Sequence, residues 1–187
     1  NPIVNYSNEG WHTVKLTVTN ENGSNTKIFE NYLNVSKSDA IYDATYFADF
    51  NDETSTKQDW IFYNKYPDDR EWKWRSSNGY WNSGCVWLNS RYGPDLETDI
   101  IISPAFDLAL NLTDNVFFKY ATTSYGVGEV DYTMSLKIYY SINCGDTWVY
   151  MNTLTGAELI SSYGGSSDFY PQYPDQWASA VFNLPES

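Results

Sequence analysis

The stretch from Ser135 to Trp148 joins an alternating strand to a sharply specified polar turn, and this junction confines the chain to β architecture more tightly than any other feature. Leu136, Ile138 and Tyr140 fall on one face at period two and Lys137 and Tyr139 on the other, the pattern of a half-buried strand. The run Ser141-Ile142-Asn143-Cys144-Gly145-Asp146-Thr147 then supplies turn chemistry. Asn143 can hydrogen-bond the backbone ahead of it, and Gly145 takes positive φ without a Cβ clash. Trp148 opens the return strand with a large apolar anchor. The segment predicts a β-hairpin.

Composition extends that expectation to the whole chain. The 187 residues are 42% hydrophobic and include 17 Tyr, 8 Trp and 9 Phe, residues that suit pleated, half-buried surfaces. A net charge of −13 repels phosphate backbones and anionic membrane surfaces. Arg70, Lys73 and Arg75 alternate with Trp72 and Trp74, but Asp68, Asp69 and Glu71 neutralise the segment, so no nucleic-acid partner is expected. No stretch approaches the ~20 apolar residues that a membrane-spanning helix needs. Cys85 and Cys144 are too few for a disulfide-built scaffold and too far apart for a CxxC motif; a pair or two free thiols both remain open.

Val14, Leu16 and Val18 alternate with Thr13, Lys15, Thr17 and Thr19, which reads as a sandwich strand with one wet face. Asn20 to Ser24 is a turn signal, and Thr26 to Val35 returns as a strand. The string Tyr6-Ser7-Asn8-Glu9-Gly10-Trp11-His12-Thr13-Val14-Lys15-Leu16-Thr17-Val18-Thr19-Asn20, with Gly23-Ser24 and Tyr32-Leu33-Asn34-Val35, resembles the C-terminal half of a PKD domain, an immunoglobulin-like sandwich. Residues 1–35 are too few to bury such a core alone, so these strands are expected to need residues upstream or another chain. Residues 36–44 form a short polar linker.

From residue 45 to 187 a second unit is expected. Its strands fall around Thr45 to Phe50, Trp60 to Tyr63, Trp72 to Ser76, Cys85 to Asn89, Asp99 to Ile102, Asn115 to Thr122, Ser135 to Ser141, Trp148 to Thr153 and Trp177 to Asn183. Gly, Pro, Asn and Asp clusters separate them. Helix is expected only as one turn or a short helix over Thr155 to Ser162. Phe47-Ala48-Asp49-Phe50, Asp59-Trp60 and above all Asp99-Ile100-Ile101-Ile102-Ser103-Pro104-Ala105-Phe106-Asp107-Leu108 resemble the landmarks of a MAM-like jelly roll. Such domains follow PKD or metalloprotease modules in secreted Bacteroidetes proteins. The Ser141 to Trp148 turn also resembles an Asp-box, with Asn143 where Asp is usual. The fold class is therefore all-β: partial Ig-like strands, then an antiparallel jelly roll whose last strands would follow Leu184.

The resemblance implies an extracellular or cell-surface module of a larger protein, a zinc metalloprotease or an adhesin. Zinc peptidase chemistry needs His-Glu-x-x-His, and the chain has one histidine, His12, which reads as a solvent-side strand residue. A triad lacks its base for the same reason. The expected role is non-catalytic, with a protein or glycan at the cell surface as partner. Asp49, Asn51, Asp52 and Glu53 form an oxygen-rich cluster that suits calcium, with Asp68, Asp69 and Asp131 as weaker candidates. The alternative function is carbohydrate binding. Tyr163, Tyr170 and Tyr173 supply the platform, beside Phe169 and Trp177 in a Gly/Ser/Pro-rich loop. Trp60, Trp72, Trp87, Trp148 and Trp177 are expected in the core.

Overall fold

A computed structural model describes residues 3–35, 41–43, 45–66, 68–89, 97–108, 115–125, 134–165 and 169–184. The chain is all-β and divides into two compact units, Asn1–Ile41 and Tyr42–Ser187.

The first unit is one long antiparallel hairpin, β1 (Gly10–Asn20) and β2 (Gly23–Val35). Its turn is set by Asn20, whose Oδ1 accepts from Asn22 N–H at 2.9 Å, and by Gly23 at φ 135°. The hydroxyls of Thr17 and Thr26 meet across the strands at 2.9 Å, as do those of Thr19 and Ser24 at 2.8 Å. The register shifts between His12 and Val14, opposite Asn31 at φ 47°. His12 differs from expectation: it is half-buried, its Nε2 lies 2.7 Å from the Asn8 carbonyl oxygen, and its ring packs on Tyr6. Leu16 and Val18, expected on a covered face, are exposed, because no third described strand pairs with this hairpin.

The second unit is built from nested pairs. Its first half contains β3 (Ile41–Asp43), β4 (Ile61–Asn64), β5 (Lys73–Arg75), β6 (Cys85–Trp87), β7 (Asp99–Ile102) and β8 (Ala105–Asp107). β5 pairs with β6, β4 with β7 around them, and β3 with β8 outside. The second half repeats the scheme with β9 (Asn115–Tyr120), β10 (Thr123–Tyr125), β11 (Ser135–Tyr140), β12 (Val149–Thr155), β13 (Ser162–Gly165) and β14 (Ala178–Asn183). Here β11 pairs with β12, β10 with β13 and β9 with β14. Hairpins wound inside hairpins are the connectivity principle of a jelly roll. One pair departs from it, since β10 and β13 run parallel.

Burial follows the strand period. Along β14, Ala180 and Phe182 are buried while Ser179, Val181 and Asn183 face outwards, and Phe182 meets the Phe118 ring of β9 at 5.8 Å. Leu159 joins this core beneath a 3₁₀ turn at Gly156–Glu158. Thr122 and Ser161 tie the β9 end to the start of β13: Ser161 N–H and Ser162 N–H both donate to the Thr122 carbonyl. Trp60, Trp72, Trp87 and Trp177 are half-buried, but Trp148, expected in the core, is 45% exposed.

Residues Thr45 to Phe50 are not a strand. The Asp43 carboxylate accepts from both the N–H and the hydroxyl of Thr45, folding the chain into a turn, and Phe50 stands at φ 55°. A helix absent from the sequence reading follows, α1 (Glu53–Asp59). Asp52 caps it by accepting from Ser55 N–H at 2.7 Å, and Lys57 pairs with Glu53 one turn back at 2.6 Å.

Candidate functional site

The Asp-box-like turn is a closed polar cage. Asn143 Oδ1 accepts from Thr147 N–H at 2.9 Å, its Nδ2 donates to the Thr147 hydroxyl at 2.8 Å, and Ser141 Oγ accepts from Gly145 N–H at 2.8 Å. Cys144 and Gly145 sit at positive φ. Every side-chain group of Asn143 is spent on the turn itself, so the motif holds the β11–β12 hairpin.

The oxygen-rich run is likewise engaged internally. Asp49 Oδ1 accepts from Asn51 N–H at 3.0 Å and its Oδ2 from Asn51 Nδ2 at 2.7 Å. Asn51 Oδ1 accepts from Gly84 N–H at 2.9 Å. Asp52 is the helix cap, and the Ser55 N–H holds its carboxyl below the usual aspartate range. Glu53 faces Lys57. Among the described residues no set of three or more His, Cys, Asp or Glu is arranged to hold a metal ion. Asp68 Oδ1 accepts from Arg70 N–H, while at Asp69 it is the backbone carbonyl that accepts from Lys73 Nζ. Asp131 lies outside the described residues.

Both cysteines are free. Cys85 is half-buried in β6 with Sγ 3.4 Å from the Ser77 carbonyl, and burial pushes its thiol pKa up against the pull of Arg75. Cys144 is exposed at its turn.

The bond from Gly84 to Asn51 leads to a surface loop with an exposed aromatic residue. Residues 78–84 form a tight loop in which Gly79 N–H donates to the Ser83 carbonyl at 2.9 Å and Asn82 N–H to the Gly79 carbonyl at 3.0 Å. A Cβ on Gly79 would stand 2.1 Å from the Gly84 carbonyl oxygen, and one on Gly84 would stand 1.7 Å from that of Phe50. The loop is therefore pressed against Phe50, whose carbonyl also accepts from Trp74 Nε1 at 2.8 Å. Three of its residues, Asn78, Trp81 and Asn82, have φ between 60° and 69° or, for Trp81, 56°. Asparagine tolerates that region; tryptophan rarely visits it. Trp81 nonetheless holds it and is 74% exposed.

Trp81 lines an open cleft of about 330 Å³. Asn78, Gly79 and Asn82 line it with Trp81, and a second segment, residues 171–174 with Trp177, completes the lining. That segment is held by Gln176, whose Oε1 accepts from Gln172 N–H at 2.6 Å and Tyr173 N–H at 3.1 Å. Tyr173 is 68% exposed. Trp177 meets Tyr80 edge-on at 6.2 Å, and Lys119 lies 4.3 Å over the other reach of the Tyr80 ring system. Among the described residues lining the cleft, none is charged.

Of the three tyrosines read from the sequence as a platform, Tyr173 alone lines this cleft. Tyr170 stacks on Arg75 at 4.7 Å, and Arg75 in turn covers Trp87 at 4.1 Å, so Tyr170 props the loop. Tyr163 is exposed on β13 and does not line the cleft. Trp81 was missed, and its signal was present: Ser76-Ser77-Asn78-Gly79 and Asn82-Ser83-Gly84 bracket an aromatic pair with turn formers, where no strand can bury it.

Fold and cleft together define an all-β protein with an open, uncharged aromatic cleft between two short loops. The chain matches no model of a known protein family, no curated protein sequence and no solved structure.

Proposed function

We propose that the chain is a non-catalytic recognition module of a larger extracellular protein, acting as its accessory or adhesion surface. The resemblance to PKD-like strands followed by a MAM-like jelly roll supports a secreted or surface location, with a metalloprotease or an adhesin as the parent protein. The observation that carries the reading is Trp81. An exposed tryptophan held in a left-handed conformation raises the energy of the free fold, and such local strain is retained where a contact surface must be pre-set. Its neighbours at the cleft are amides and aromatics, groups that bind and orient; an acid–base pair is not among them.

The test is retention of the purified chain on intact cell surfaces and matrix-coated plates, compared with a Trp81→Gly/Tyr173→Ala double variant of matched fold by circular dichroism. Retention lost in the variant is the expected result. Retention that is equal in the two proteins, or that is nil for both, overturns recognition through this cleft.

A further inference from the structure

We infer that the cleft takes an uncharged polysaccharide; the inference rests on the recognition reading above and names its ligand. Three properties of the site select that chemistry. First, two large aromatic side chains, Trp81 and Tyr173, both line the cleft and are both largely exposed, so each has apolar ring surface left for a ligand. The axial C–H face of a pyranose is the common biological surface that is flat, apolar and rimmed by hydroxyls.

Second, the polar groups beside those rings are carboxamides, those of Asn78, Asn82 and Gln172. Each amide carries an acceptor oxygen and two N–H donors, which matches hydroxyls that both give and accept. Gln172 Nε2 donates to the Tyr170 carbonyl at 3.0 Å, which orients its side chain. With no cation among the described lining residues and a net charge of −13, a carboxylated or sulfated chain would meet repulsion without a compensating partner.

Third, the dimensions suit a sugar. A cleft of about 330 Å³ falls at the small-ligand end of binding sites, whereas a stable protein partner needs roughly 800 Å² of surface from each side. The walls are fixed before binding by the Gly79–Ser83 and Gly84–Asn51 bonds on one side and by Gln176 on the other. Little ordering remains to oppose a small ligand.

Native affinity electrophoresis of the full chain through gels containing neutral polysaccharides (glucans, mannans, xylans, galactans) or anionic ones (alginate, heparin) tests this. At least one neutral polysaccharide should retard the protein, and Trp81→Gly and Tyr173→Ala should each weaken that retardation by about tenfold or more. Titration with the retarding oligosaccharide should also shift the tryptophan emission of the parent protein, and in Trp81→Gly, where Trp177 is the lining tryptophan that remains, the shift should be smaller and need more ligand. Retardation by anionic polysaccharides only, or equal retardation of parent and both variants, overturns the inference. Retardation by none, with Trp81-dependent retention on cell surfaces intact, also overturns it and points to a protein occupant while leaving the recognition reading in place. Loss of both results removes the recognition reading itself.

Discussion

Replacing Trp81 by glycine should leave the protein more stable than replacing it by alanine, the reverse of the usual order. Both substitutions delete the same ring, so whatever burial is lost cancels in the comparison. Trp81 stands at φ 56° and ψ 35°. A residue with a Cβ is disfavoured in that region by roughly 1–2 kcal/mol, a penalty that glycine escapes. Against this, glycine's freer unfolded chain costs about 0.4–1 kcal/mol relative to alanine. The difference leaves glycine ahead by between about 0 and 1.6 kcal/mol, centred near about 0.8. For a chain of this size that is about 2 °C in melting temperature. Trp81→Asn should lie close to Trp81→Gly, because asparagine also enters the left-handed region readily. Paired urea and thermal denaturation of the three variants measures the ranking. Alanine equal to or above both glycine and asparagine would refute the argument, since it would mean that the backbone at 81 is not held left-handed.

Other perturbations probe the supports of the cleft. Gly84→Ala sets a Cβ 1.7 Å from the Phe50 carbonyl, a backbone atom that cannot step aside, and should cost at least about 3 kcal/mol, read as a melting temperature lower by about 6–12 °C; a loss below about 1 kcal/mol would show that the loop does not press on Phe50. Asp99 is half-buried, and burial first, then the carboxylates of Asp68, Glu97 and Glu71, raise its pKa above the usual aspartate range. A raised carboxyl contributes stability that is fully present below the unfolded-state pKa and lost as pH rises through the folded-state pKa. Asp99→Asn should therefore raise the melting temperature at pH 7, with the gain shrinking as the pH falls to the aspartate range; a gain independent of pH, or a loss at pH 7, contradicts this sign. Because both Asp49 oxygens, Asn51 Oδ1 and one carboxylate oxygen each of Asp52 and Glu53 are already spent on N–H groups and Lys57, chelation with EDTA should leave the melting temperature unchanged, and a fall on chelation, restored by calcium, would show that these side chains turn to a cation.

Much of the fold was legible where the chain alternates. β11 and β12 announce themselves through Leu136, Ile138 and Tyr140 and a turn whose residues can do little else, and the structure closes that turn with the Asn143 side chain. β4, β7, β9 and β14 were readable as short apolar or aromatic runs bounded by turn formers. β8, β10 and β13 are only three or four residues long and pair with strands just as short, so neither their own sequence nor a long partner announces them. α1 was hidden by poor helix formers, Thr54, Ser55 and Thr56, although Asp52 before them and Glu53 four residues ahead of Lys57 were the cap and the pair that stabilise it. At the cleft, the sequence revealed aromatic residues in turn-rich segments but not their partners. Tyr170 and Tyr173 differ by three positions in one loop, yet Arg75 occupies one ring and none of the described cations occupies the other. Only the path of two loops distant in sequence decides that.

That path explains why an oxygen-rich run and an aromatic cleft belong to one device. Asp49 orients Asn51 through two hydrogen bonds, Asn51 accepts from Gly84, and Phe50 between them receives Trp74 at its carbonyl and Trp60 against its ring at 5.1 Å. Residues 49–51 thus fix the far end of the loop that carries Trp81, and the glycine contacts leave no room for it to relax away. Free energy stored in the left-handed tryptophan is held there by these bonds, each worth about 1 kcal/mol net, against a strain of comparable size. The polar cluster at residues 49–51 is thus also the anchor of the loop that carries the exposed Trp81.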